Sequence, residues 1–402
     1  MSIPVDPRTQ PGSRLSSIDA LRGAVMIIMA LDHVRDFFHA GAMSFSPTDL
    51  TRTTPILFFT RWITHFCMPV FMFAAGLGMF LFEHSHTKRQ LSRFLWTRGL
   101  WFILLELTVM QPAYNFSFSS RFMLFLLILW IFGICMIAMA GLIHLPVRWL
   151  AALSVAVILF HNCLDGIDSS RFGSAAWVWV LLHQPGLVRF AGRTFRVPYT
   201  FIPWIAVMAA GYCFGRIFLL EPAVRQRILL KVGLALTIAF VVIRSVNRYG
   251  DPAPWAQQKS FLFDVLSFLN CTKYPASFDF LLMTLGPALL VLAYLGQRNF
   301  KISSPFIVFG RVPMFYFVLH FYLIHTLAVL AAWLRYGSAA AKFTFTPVPS
   351  MGGSQQLFPA DFGYSLWVVY AVWLVVVVSL YPVCRWFARV KSTRRDWWLS
   401  YL

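Results

Sequence analysis

Apolar runs separated by short polar stretches recur along the whole chain. Ten can be drawn, at 21–40, 57–82, 99–113, 122–143, 147–163, 201–220, 228–245, 278–296, 305–334 and 365–386. Most come close to the roughly 20 residues that an α-helix needs to cross about 30 Å of hydrocarbon. A helix also satisfies its own backbone hydrogen bonds there, which an open chain cannot do. The pattern predicts an all-α, polytopic membrane bundle of about ten transmembrane helices. The runs form neither an internal repeat nor inverted halves of the transporter kind. Residues 1–402 therefore read as one transmembrane domain, with a short segment 1–20 ahead of the first run and a basic tail 387–402 behind the last.

Composition supports this picture. Of 402 residues, 59% are hydrophobic and 12% charged, more apolar surface than a soluble core with a polar rim can use. The net charge of +19 would suggest nucleic acid in a soluble chain. Here the cations sit in turns between the runs and report orientation instead, so no nucleic-acid partner is expected. They crowd into short alternate segments: Lys88, Arg89, Arg93 and Arg98; Arg216, Arg225, Arg227 and Lys231; Arg385, Arg389, Lys391, Arg394 and Arg395. That bias predicts both termini in the cytoplasm and a multi-pass protein of the cytoplasmic (inner) membrane. The first twenty residues carry no cleavable signal pattern, so the first run is expected to serve as an uncleaved anchor. The outer segments 41–56, 164–200, 246–277 and 335–364 are longer and rich in Gly, Pro and aromatics. Segments of that length are usually functional or disordered. Within them, 175–190 is too short and too aromatic to span and is expected to lie along the outer interface. The six cysteines form no CxxC or metal-like cluster. Whether Cys163 and Cys271, both near the outer face, pair is left open.

The chemistry gathers in "ALDHVRDFFHAG", residues 30–41, where an apolar run ends in Asp32, His33, Arg35, Asp36 and His39. Ionisable groups in a span are costly and need a reason. At 100° per residue, Asp32, Arg35, Asp36 and His39 fall within about 100° of one another, while His33 is turned away from them. One reading is an ion-paired helix end that marks the interface. The other is an acid–base stripe facing a cavity, where an imidazole beside carboxylates suits proton transfer or nucleophilic attack. A second polar intrusion, "GRVPMFYFVLHFYLIH", puts Arg311, His320 and His325 in the ninth run, where Gly310 and Pro313 predict a kink that lines a cavity. Each histidine could equally bond a neighbouring carbonyl. His65 and Glu106 are weaker flags of the same kind. No P-loop, G-x-S-x-G, H-E-x-x-H or dinucleotide fingerprint occurs, and the histidine spacings give no metal site.

Four segments together resemble a known family: "RLSSIDALRGAVMIIMALDHVRDFF", "HAGAMSFSPTDL" with "MPVFMFAAGLGMFL", "GRVPMFYFVLHFYLIH" and the tail "YPVCRWFARVKSTRRDWWLSYL". The resemblance is to the catalytic-domain family of heparan-alpha-glucosaminide N-acetyltransferase, whose members are transmembrane acyltransferases. It implies transfer of an acetyl group from cytosolic acetyl-CoA, the acyl-donor substrate, to an amino sugar across the membrane. Asp19, Arg22 and Gly23 match the family's Asp-x-x-Arg-Gly start. The family's reactive histidine matches His39, because His39-Ala40 followed by Asp49-Leu50 repeats the family pattern. Its polar residue inside span 1, an asparagine, has His33 as nearest match, in a shorter intervening stretch.

The resemblance and the residues together give an expectation to test. The protein is a membrane acyltransferase with catalytic candidates His39, His33, Asp32, Asp36 and Asp49. Donor-binding candidates are Arg22, Arg311, His320 and His325, and no metal is expected. Its partners are acetyl-CoA, a sugar or cell-envelope glycan acceptor and the lipid bilayer, with a homodimer left open. The alternative is a proton-coupled transporter that uses the span-1 His/Asp cluster as its relay.

Overall fold

The computed structural model describes residues 11–116, 122–298, 300–394, 396 and 398–399. The start of the expected N-terminal segment and parts of the basic tail lie outside the described residues. In chain order the main elements are α1 (Pro11–Phe38), α2 (Pro55–Trp62), α3 (Cys67–Glu83), α4 (Lys88–Leu105), α5 (Gln111–Asn115), β1 (Leu124–Phe125), α6 (Ile128–Leu142), α7 (Val147–Phe160), α8 (Ala176–Leu182), β2 (Gly186–Phe190), β3 (Arg193–Val197), α9 (Phe201–Phe214), α10 (Pro222–Val246), α11 (Phe261–Leu269), α12 (Phe278–Leu295), α13 (Pro305–Arg311), α14 (Pro313–Tyr336) and α15 (Leu366–Thr393).

Among the described residues, seven helical stretches are long and apolar enough to cross a membrane: Pro55–Glu83, Val147–Leu164, Phe201–Leu219, Pro222–Val246, Phe278–Leu295, Pro313–Lys342 and Leu366–Thr393. Helices also occupy the other three expected runs, each with a visible reason for missing that mark. α1 is charged at both ends. α4 carries Lys88, Arg89, Arg93 and Arg98 along its 18 residues before it passes through a π-helical turn, Glu106–Met110, into the five-residue α5. α6 has only 15 residues. The expected kink in the ninth run is a full break: Val312 leaves helical geometry (φ −128°, ψ 47°) and Pro313 starts α14. Proline has no N–H to carry the ladder across but suits the first turn of a new helix.

The bundle is assembled from tight helix pairs. α1 lies against α13, α14 and α15, α3 against α9, α4 against α6, and α10 against α12. Small residues set these crossings. A side chain at Gly23 or Gly310 would strike the backbone of the partner helix, and the same holds for Gly76 with Gly211 and for Gly99 with Gly133. Close backbone approach of this kind is how helices associate where lipid removes the hydrophobic drive between them. α1 sits at the centre, burying Val25, Met26, Met29, Ala30, Val34 and Phe37. α7, α10 and α15 are peripheral and turn Leu153, Ile238, Val242, Leu374 and Val378 outward, a pattern suited to lipid contact.

The departure from an all-α fold, among the described residues, is a small three-stranded sheet ordered β1-β3-β2, with β1 parallel and β2 antiparallel to β3. Ala191 and Gly192, both at positive φ, turn the β2–β3 hairpin. Segment 175–190, expected along the interface, forms α8 and this first hairpin strand. Cys163 and Cys271 are both free thiols.

Candidate active site

α1 begins and ends in a polar cluster, and each cluster faces its own cavity. At the start, Asp19 and Arg22 stand one turn apart. Their 3.9 Å contact is loose, and the Nε of Arg311, at the end of α13, lies 3.7 Å from the same carboxylate. Arg22 also donates to the Ala74 carbonyl at 2.8 Å. Burial raises the Asp19 pKa, against the pull of Arg22 and Arg311. These residues open onto a cavity of about 490 Å³ whose lining also includes Arg98 and Lys391. Its depth is apolar, walled by Met26, Met29, Phe71, Phe102 and Phe132.

At the far end of α1 the pairing is tight. Arg35 reaches Asp32 and Asp36 at 2.8 Å each. Arg61, from α2, closes a second ion pair on the other oxygen of Asp32. Arg35 is only 3% exposed, so the charges satisfy one another as buried charges must. This cluster forms part of the wall of a larger cavity, about 840 Å³, with His33, Tyr114, Arg196, Tyr199, Lys273, Tyr274 and Ser350. Arg196 and Lys273 have no carboxylate within ion-pairing distance among the described residues, so this cavity holds an excess of positive charge.

The two cavities share Ile128 and Phe317 in their linings. The wall between them is thus one residue from the start of α6 and one from α14. Arg22 and His33 are eleven positions apart on α1, about 16 Å along the axis at 1.5 Å per residue. The start of α6 is held in place by Glu106 of the π turn, whose carboxylate accepts from the Leu129 N–H (2.9 Å), the Trp130 N–H (3.3 Å) and the Tyr114 hydroxyl (3.0 Å). Gln111 clasps the same segment through the carbonyl and N–H of Phe125. A carboxylate bonded to the first N–H groups of a helix is favoured by unmet donors and helix dipole together.

The predicted site residues separate into distinct groups. His33 lines the larger cavity, and its Nδ1 lies 2.6 Å from His320 Nε2. Asp32 and Asp36 line it too. His39 does not: α1 ends at Phe38, and His39 enters extended backbone (φ −76°, ψ 127°) paired with Tyr364. Its Nδ1 accepts from the Gly41 N–H at 3.1 Å and caps the short turn Ala40–Met43. Asp49 lies in neither lining. It closes an exposed turn by accepting from the Thr51 hydroxyl (2.7 Å) and N–H (3.0 Å), bonds that hold its carboxyl below the usual range. Arg22 and Arg311 line the smaller cavity. His320 is wholly buried and reaches neither lining. His325 is buried elsewhere, bonded to the Ala113 carbonyl and stacked on Phe116 at 3.7 Å.

The sequence marks segment 83–98, which ends in Arg98, as able to receive an anionic ligand from the cytoplasm, but it does not single out Arg61, Lys273 or Lys391. Arg61 carried a usable signal, a lone cation inside the apolar stretch "LFFTRWITHF". Lys273 and Lys391 reach their cavities only through tertiary packing. Among the described residues, no group of three or more His, Cys, Asp or Glu side chains is arranged to hold a metal.

No curated protein matches the chain. The catalytic family described as heparan-alpha-glucosaminide N-acetyltransferase matches residues 14–246, more than half the length, and that stretch contains most of α1, the Asp32 network and the Glu106 clasp, while Arg311 lies beyond it. The chain belongs to this family of membrane acetyltransferases.

Proposed function

We propose that the protein carries an acetyl group from cytosolic acetyl-CoA to an amino sugar or other envelope-glycan acceptor at the opposite face of the cytoplasmic membrane. The observation that carries this reading is the pair of cavities meeting at Ile128 and Phe317, cationic at one end of α1 and acid–base at the other. In this reading there are ten crossings with both termini in the cytoplasm, since the cation-rich turns lie at the Asp19 end and such turns stay inside.

Arg22, Arg98, Arg311 and Lys391 fit the phosphates of the donor nucleotide. The loose carboxylate pairing of Arg22 and Arg311 supports this, because a fork-shaped guanidinium held only weakly by an acid can still present donors to a phosphate. The apolar depth of the smaller cavity directs the arm toward Ile128 and Phe317. In the larger cavity the acceptor's amine or hydroxyl attacks the thioester carbon, the C–S bond breaks, and His33 takes the proton from the attacking atom and returns it to the thiolate sulfur. Asp32, Asp36, Arg35 and Arg61 form the rigid floor beside it. The positive excess from Arg196 and Lys273 suits an acceptor that carries an anionic group. An acid–base role for His33 rests on its position in the lining. His39 and Asp49 would enter only through movement of the 40–54 segment.

The test is thermal unfolding of the detergent-solubilised protein with acetyl-CoA, CoA and ATP. A ligand bound only by the folded state stabilises it, by about 2.7 kcal/mol at one hundred times Kd, and so raises the midpoint. Shifts with acetyl-CoA and CoA but not with ATP support the donor assignment. The absence of any shift with the CoA compounds removes it.

A further inference from the structure

His33 and His320 lie on different helices, α1 and α14, with 2.6 Å between His33 Nδ1 and His320 Nε2. Two neutral imidazoles share such a bond only when one nitrogen bears hydrogen and the other a lone pair. The second nitrogen of His320 decides which. Its Nδ1 lies 3.1 Å from the Tyr316 carbonyl, which can only accept, so Nδ1 carries the hydrogen and Nε2 the lone pair. His33 must then donate from Nδ1, which leaves the lone pair of His33 on Nε2. That nitrogen makes no hydrogen bond among the described residues, and His33 is the member of the pair that lines the cavity.

We infer that His320 is a positioning residue that fixes His33 as its Nδ1–H tautomer and so aims the basic Nε2 at the acceptor. This rests on the acetyl-transfer reading above for the use of that lone pair, but not for its existence. The packing around the pair keeps it in register. His320 is 0% exposed, stacks on Tyr316 with 3° between the rings and packs against Phe321. His33 lies on Phe321 at 4.1 Å. The buried His320 ring is thus held by its neighbours in the orientation that faces His33. The opposite tautomer of His33 would present an N–H to the acceptor and could take no proton from it. Control of one imidazole nitrogen through the partner of the other is a general device.

Two substitutions separate this role from simple space-filling. His320→Gln keeps an amide oxygen to accept from His33 and an NH₂ to donate to Tyr316. His320→Phe fills the volume with neither. The expected result is a loss of about 10- to 100-fold in kcat for the Phe variant, with KM for acetyl-CoA unchanged and most of kcat restored in the Gln variant. Equal losses in both variants, or a Phe variant with full turnover, would overturn the inference. The ¹⁵N spectrum of histidine-labelled wild-type protein reads the tautomer directly, with the His33 signals assigned by their absence in His33→Ala. Protonated Nδ1 and bare Nε2 support the assignment, and the reverse rejects it. The spectrum is taken without substrate, so it stands whether or not the acetyl-transfer reading does.

Discussion

The two ends of α1 carry the same short pattern, Asp-x-x-Arg, as Asp19–Arg22 and Asp32–Arg35, and they differ in what surrounds it. At the second, two carboxylates and two guanidinium groups close on one another, with Arg35 2.8 Å from both Asp32 and Asp36. At the first, one carboxylate is shared loosely between Arg22 and Arg311 at 3.9 and 3.7 Å, and Arg98 and Lys391 join them around the cavity. A buried network whose charges are matched acts as framework, since opening it leaves a bare charge in a medium that cannot solvate it. At the first cluster the carboxylate holds its two guanidinium groups only at long range, so the pairing there is loose rather than closed. The same four-residue pattern thus builds a closed ion-pair network at one end and a loosely paired cluster beside a cavity at the other.

The sharpest way to break this comparison lies beside the scaffold. His33→Ala is expected to lower kcat for acetyl transfer by about 10²- to 10⁴-fold, the usual worth of a positioned general base. The midpoint shift with acetyl-CoA should remain, because the donor cations are at the other end of α1. An enzyme that turns over normally without His33 would return the chemistry to His39.

Next in size is the scaffold itself. Arg35→Ala leaves Asp32 and Asp36 short of their shared partner, at an expected cost of about 3–5 kcal/mol in unfolding measurements. The matched change at the other end, Arg22→Ala, should cost about 1 kcal/mol or less. Similar losses at both ends would mean that the first cluster is framework as well.

What the sequence disclosed follows the same division. Helical periodicity brings residues three and four apart onto one face, so the Asp32, Arg35 and Asp36 stripe was legible from spacing alone. Extending the stripe to His39 assumed that the helix continues. It stops at Phe38 because the Phe38 and Tyr364 backbones bond to each other, Tyr364 N–H to the Phe38 carbonyl at 2.7 Å, a contact more than three hundred residues away in sequence. His33 read as off the stripe and is nevertheless the histidine in the cavity wall, because α14 packs against that side of α1 and brings His320 to it. Helical character and membrane class were plain from the lengths of the apolar runs. The small sheet was not, since β1 has only two residues and no periodicity to detect. The π turn at Glu106 likewise has no local sequence signal beyond the buried acid itself.

At the loosely paired end, Arg22→Ala and Arg311→Ala are each expected to weaken donor binding about tenfold, roughly 1.4 kcal/mol, as read by titration of the midpoint shift. The double variant should lose close to the sum unless both cations bind the same phosphate, where coupling appears. Raised salt should weaken donor binding in the wild type and less so in the variants, because a solvent-facing cation is screened while a buried pair is not.

The smallest effect is expected at Asp49, and it marks the limit of the scaffold. Asp49→Ala removes an exposed turn closed by Thr51 and touches neither cavity lining, so turnover and donor binding should match the wild type within error. The Thr51 bonds hold the Asp49 carboxyl below its ordinary value. A lowered folded-state pKa contributes stability above the unfolded value, and that contribution is lost as pH falls through the folded one. Any difference in midpoint between Asp49→Ala and wild type should therefore be small at neutral pH and vanish in acid. A hundredfold loss of turnover in this variant, with the midpoint unchanged, would show that the 41–56 segment moves onto the larger cavity during the reaction and brings Asp49 with it. The fixed network around Asp32 would then be only half of the acceptor site.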